Sequence, residues 1–176
     1  RLITRGTPVS PQNYKTMSTI SQLSPSLVWG IFEEITRVPR PSKHEEKIIA
    51  YLVDFATRHN LAHKVDKAGN VVIYKPATAG YENSPAVVLQ SHSDMVCEKN
   101  NDTQHDFMND PIEAYIDGEW VKARGTTLGA ACGIGMAAAL AVLVDDSLRH
   151  PAIEALFTVD EETGLTGAFN LAPDML

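Results

Sequence analysis

From Gly133 to Val144 the chain runs through glycine, alanine, methionine, leucine, isoleucine and valine without one polar side chain. Such a run reads as an Ala-rich helix whose small residues allow close packing on a sheet. It is shorter than the roughly 18 apolar residues of a membrane span, and no other run approaches that length. The sheet it needs is written on either side. Ala86 to Gln90 and Ile153 to Val159 are short, nearly all-apolar runs, as expected of buried strands. His63 to Val65 and Val71 to Tyr74 flank the turn signal Lys67-Ala68-Gly69-Asn70. Tyr115 to Trp120 predicts a tight hairpin around Asp117-Gly118.

Two further helices precede the strands. Ser24-Pro25 predicts an N-cap and first helical position, with Leu27, Val28, Ile31, Phe32 and Ile35 at helical spacing. Pro39 and Pro41 stop that helix. Ser42 and Glu45 then form a capping-box pattern for a second, whose apolar face is Ile48, Ile49, Leu52, Val53 and Ala56. Alternating helices and buried strands predict an α/β fold: a central mostly parallel or mixed sheet with helices on both faces.

Composition closes off several functions. Hydrophobic residues make up 44% of the chain and charged residues 21%, ordinary for a soluble domain. A net charge of -7 argues against nucleic acid as a partner, and the missing span argues against a membrane. Cys97 and Cys132 form neither a zinc-ribbon spacing nor a disulfide framework, so a reducing, cytoplasmic compartment is expected. Arg1 to Thr16 is basic, acid-free and holds Pro8 and Pro11. It lacks the apolar region of a secretory signal. A transit peptide is one alternative; the simpler expectation is a disordered leader over residues 1–16, with Met17 as the natural start.

The chemistry-bearing residues follow strand ends. Ser91-His92-Ser93-Asp94 comes after one buried run and Asp160-Glu161-Glu162 after another. Open α/β sheets bind ligands at the carboxyl ends of their strands. In His-x-Asp, one imidazole nitrogen can bind a metal while the carboxylate receives the other N–H and fixes the ring. In Glu161-Glu162, one carboxylate can bind metal and the other can take a proton from an attacking water and return it to a leaving amine. Each signal is weak alone; together, on two strand ends, they point to one site. Between them, Gly125 to Gly135 enters the Ala-rich helix. It lacks the Gly-Lys-Ser/Thr of a P-loop, which excludes ATP binding of that kind. A close-packed loop with glycines at positive φ is the alternative. Of the other histidines, His44 reads as solvated and His59, His63 and His150 as surface residues. His105 sits in a polar loop where a substrate contact is conceivable.

Three segments, His92 to Val96, Gly125 to Gly135 and Thr158 to Gly164, resemble the aminoacyl-histidine dipeptidases, also called cytosol non-specific dipeptidases, within the clan of di-zinc aminopeptidases and carboxypeptidases. The likeness runs from about Leu23 to Phe169 and includes Pro39 to Glu46, Lys75 to Gly80 and Asn101 to Phe107. The resemblance implies that His92 is a zinc ligand, Asp94 the catalytic aspartate orienting it, Glu161 the general base and Glu162 a ligand of the other zinc. It implies hydrolysis of an unblocked dipeptide, with two Zn2+ ions per site and Mn2+ or Co2+ as substitutes. A related zinc N-acyl amino-acid amidohydrolase is the neighbouring alternative. Two departures stand out. The family places a metal-bridging aspartate where this chain has Ala131, and a one-residue offset points Cys132 elsewhere. The family chain also continues past Leu176 with further ligands and a domain that forms a homodimer. Residues 17–176 are therefore expected to be an incomplete catalytic domain, a catalytically impaired or inactive piece, with sheet strands left uncovered.

Overall fold

In a computed structural model of the chain, residues 19–176 are described, and the leader and Met17 start expected above lie outside them. The sheet is organised around one strand. β6 (Ile153–Thr158) pairs antiparallel with β2 (Val71–Lys75) and parallel with β3 (Val87–His92); β1 (Ala62–Val65) pairs antiparallel with β2. The order is β1-β2-β6-β3, a mixed sheet with one parallel pair. A parallel pair needs a long crossover. Here the chain leaves β3, forms the hairpin β4 (Ala114–Asp117) and β5 (Trp120–Ala123), and returns through α3 (Ala130–Val144).

Side chains alternate across the sheet as strand geometry requires. Val71, Ile73, Ile153, Ala155 and Phe157 share one core with the buried faces of α1 (Ser26–Thr36), α2 (Glu46–Arg58) and α3. The intervening residues Val72 and Leu156 meet Met175, Leu171 and Ala172 on the opposite face. The short helix α4 (Thr166–Phe169) also lies there, with Ala168 near Leu156. This is the α/β architecture expected, with the long helices gathered on one side. No described helix is long and apolar enough to cross a membrane.

Several local expectations are corrected. Pro25 is the N-cap of α1 rather than its first residue; it is extended, and its carbonyl accepts from Trp29 N at 3.2 Å. The capping box at α2 does not form. Glu45 itself stands at the N-cap, and the Ser42 hydroxyl donates instead to Asp94. α3 starts at Ala130, three residues before the expected Gly133, because Gly129 takes the left-handed turn (φ 69°) that closes the loop. β3 is not buried. Among the described residues it is a sheet edge, and Val87 and Val88 are each 43% exposed. His150 is buried rather than on the surface, its Nδ1 2.7 Å from the carbonyl of Pro151.

The turn between β1 and β2 does more than reverse the chain. Asp66 Oδ1 accepts from the amides of Ala68, Gly69 and Asn70, each at 2.9 Å. Fully buried Asn70 then reaches across: its Oδ1 accepts from Val159 N at 3.1 Å and its Nδ2 donates to Gly167 O at 2.9 Å. The end of β6 is thereby bracketed by a side chain from the neighbouring turn. Asn70→Ala would leave Val159 N unpaired, at about 1–3 kcal/mol for a buried group, while Gly167 O would keep its bond from Asn170 N. Urea unfolding is expected to show a loss of that order, and a change under 0.5 kcal/mol, about the size of a surface substitution, would remove Asn70 from this role.

Candidate active site

Parallel pairing sets His92 beside Thr158, so the loops leaving β3 and β6 emerge at the same rim. After β6 the chain turns sharply at Asp160, whose φ is 48°, in the left-handed region that aspartate tolerates better than most residues. The turn sends the next residues back over the β3 loop. Three successive amides are then held by two buried carboxylates: Asp160 N donates to Glu45 Oε1 at 2.9 Å, Glu161 N to Asp94 Oδ1 at 3.0 Å, and Glu162 N to Asp94 Oδ2 at 3.2 Å. With its backbone fixed, the glutamate pair aims at the imidazole. His92 Nε2 lies 3.7 Å from Glu161 Oε2 and 4.0 Å from Glu162 Oε1. One ligand atom from each of the three residues lies within 4.8 Å of the others.

Asp94 sits beneath, with no exposed surface. Its Oδ1 is 3.2 Å from His92 Nδ1, and its Oδ2 accepts from Ser42 Oγ at 2.7 Å. Burial pushes this carboxyl up, but His92, Ser42 and the two glutamate amides outweigh it and hold it well below the usual carboxylate range. The partner moves the other way. Asp94 first, then Cys132, raise the His92 imidazole to about 10 against the opposing effect of burial. Glu45 is raised, chiefly by burial and to a lesser degree by the charge on Asp94. Asp160 completes a second acidic group with Glu45 and Asp94, its own Oδ1 accepting from Thr163 Oγ1 at 2.6 Å.

A cavity of about 440 Å3 opens over His92 and Glu161, lined also by Ala131, Gln90, Thr158 and Leu165 among others. Ala131 thus faces the same space as His92 and Glu161. Cys132 borders it too, but its sulfur is committed inward, 3.0 Å from Asp94 O and 3.0 Å from Arg40 Nη1, and it does not join the His92 group. A larger cavity of about 660 Å3, lined by Lys43, Glu45 and Asp160, lies on the far side of the turn and contains neither His92 nor Glu161. All four residues singled out in the sequence, His92, Asp94, Glu161 and Glu162, converge at this rim. Sequence reasoning did not single out Ser42, Glu45 and Arg40 as parts of the site. Ser42 and Glu45 were absorbed by a helix-cap pattern, and the available signal was an arginine confined between two prolines.

One imidazole nitrogen and two carboxylates make a donor set suited to a divalent ion such as Zn2+, Mn2+ or Co2+. The three donors fit one ion. A second ion 3.5–4 Å away would need a shared anionic ligand to offset repulsion, and the methyl of Ala131 offers none.

Residues 88–175 match peptidase family M20/M25/M40, and the chain belongs to that family. The cytosol non-specific dipeptidase of Escherichia coli (strain K12) is 56% identical over 160 residues, covering 91% of this chain and 33% of the relative. The crystal structure of aminoacylhistidine dipeptidase from Vibrio alginolyticus superposes with a TM-score of 0.88 at 55% identity, over 90% of this chain and 32% of that one. Aminopeptidase PepT from Bacillus cereus ATCC 10987 gives a TM-score of 0.67 at 25% identity, over 85% of this chain and 40% of that one. The chain therefore spans about a third of the length of the two dipeptidases it resembles.

Linkage gives a pH signature for the metal-free chain. His92 is raised from 6.5 to about 10, so its contribution to stability is complete below pH 6.5 and is lost as pH rises toward 10. Asp94 is lowered from 3.8, so its contribution is present above that value and lost as pH falls further. The stability difference between the parent chain and His92→Gln is expected to be largest between about pH 4 and 6.5 and to shrink toward pH 10. A difference that stays flat over that range in chemical unfolding would show that the pair is not ionised as described.

Proposed function

We propose that residues 19–176 form part of the catalytic domain of a metal-dependent dipeptidase acting on unblocked dipeptides, aminoacyl-histidines among them. The observation that carries this reading is the meeting of His92 Nε2, Glu161 and Glu162 within 4.8 Å at one rim of the sheet. A bound divalent ion supplies Lewis-acid polarisation of the scissile carbonyl and acidifies the attacking water. His92 would hold it through Nε2, with Asp94 fixing the ring from the Nδ1 side. Glu162, which the resemblance gives to the other zinc of a pair, would be the carboxylate ligand of the one ion that this donor set can hold. Glu161 accepts the proton of the attacking water and delivers it to the leaving amine. Zn2+ is the proposed ion, with Mn2+ or Co2+ as substitutes. The cytoplasm is the proposed compartment, and a homodimer the proposed assembly of the longer protein.

Ala131 favours a second reading for the chain as it stands: binding without efficient turnover. It lines the cavity at the position where the resemblance places a bridging aspartate, and it brings no ligand atom. The purified chain with added Zn2+ or Mn2+ is expected to hydrolyse Xaa-His dipeptides at or near the background rate. Robust turnover would overturn the impairment, and a preference for N-acetyl amino acids over dipeptides in the longer protein would favour an amidohydrolase.

Calorimetric titration separates metal binding from turnover. The chain is expected to take up one ion. Ala131→Asp is expected to tighten that binding while stoichiometry stays at one, since a second ion needs ligands beyond this chain. Two ions on the unmodified chain, or an unchanged affinity in the variant, would contradict the ligand assignment.

A further inference from the structure

Arg40 is 1% exposed and is a fully buried cation with no carboxylate in ion-pair contact among the described residues. Burying a guanidinium this way is costly unless its donors are met. Both terminal nitrogens are met, by two separate stretches of chain. Nη1 lies 3.3 Å from Ser93 O, 3.4 Å from Asp94 O and 3.0 Å from Cys132 Sγ, and Nη2 donates to Gly129 O at 2.7 Å. The first two acceptors belong to the loop leaving β3, the others to the start of α3. The Arg40 backbone is tied to the same loop: its carbonyl accepts from Met95 N at 3.0 Å, and Pro41 forms a parallel bridge with Met95.

The glycine-rich segment is cut to fit this side chain. A Cβ on Gly129 would stand 2.6 Å from Arg40 Nη2, and one on Gly133 would stand 2.9 Å from Nη2 and 2.8 Å from the Phe32 ring. Two glycines one helical turn apart therefore leave room for a planar cation, which a flexible ammonium would fill without bridging both stretches.

We propose that Arg40 is a positioning residue: it locks the Ser93-Asp94 turn to the first turn of α3, so that one carboxylate of Asp94 meets both His92 and the amides of Glu161 and Glu162. The same lock sets the distance between His92 and position 131 across the cavity. Its consequence for metal binding rests on the reading of His92, Glu161 and Glu162 as ligands or base; its consequence for the backbone does not.

The test compares Arg40→Lys and Arg40→Met with the parent 176-residue chain. Without metal, amide hydrogen exchange at Glu161 and Glu162 is expected to quicken about tenfold or more in Arg40→Lys, while exchange at Ile73 in β2 stays unchanged. With Co2+ as the probe, affinity is expected to fall by about 10–100-fold, with a changed visible spectrum. Exchange at Glu161 and Glu162 that stays at parent rates, or that rises no more than at Ile73, overturns the proposal. If Arg40→Met does not fold, the lysine variant decides. A parent chain that fails to bind Co2+ sinks the metal reading, and the exchange comparison still decides the role of Arg40.

Discussion

The site is built on one buried carboxylate. Asp94 gathers four donors from three parts of the chain: the imidazole of His92, the hydroxyl of Ser42, and the amides of Glu161 and Glu162. An uncompensated buried carboxylate would be strongly destabilising. Here each lone pair is used, and the bonds that satisfy the charge also dictate where the imidazole and the glutamate pair point. Removing the solvent and fixing the geometry are therefore one event. The loop after β3 and the loop after β6 have no freedom to drift apart while that carboxylate remains ionised.

Sheet topology makes this economical. Because β3 and β6 run parallel in register, their ends arrive together without any long loop reaching across the molecule. The supports come from elsewhere in the chain. Asn70 clamps the end of β6 from the β1–β2 turn, Glu45 holds Asp160 from the start of α2, and Arg40 ties the β3 loop to α3. Most of the side chains that meet the reacting space are short or half-exposed; the ones that hold them are buried.

Much of this was legible in the sequence for identifiable reasons. Strand and helix positions followed from local periodicity, which is why β2, β6 and the apolar face of α2 fall close to where the pattern places them. The acidic clusters were legible because strand ends are where sheets bind ligands. What escaped was long-range. Ser42 and Glu45 carry a local helix-cap signature, and only the tertiary fold shows that both side chains are spent on Asp94 and Asp160 instead. Uncovered strands were expected of an incomplete domain, but that β3 is the exposed one escaped, since an apolar run does not say whether a neighbour covers it. His150 escaped for the converse reason: a polar ring whose Nδ1 faces the next residue's carbonyl can be buried without any distant partner announcing it.

The edge position of β3 has a consequence for how the molecule meets its surroundings. A strand edge presents unpaired backbone groups that another strand can extend, and this one carries Val87 and Val88 in the open and ends at His92. Any chain that docks along it, whether a further segment of a longer polypeptide or a foreign one, would run directly to the imidazole.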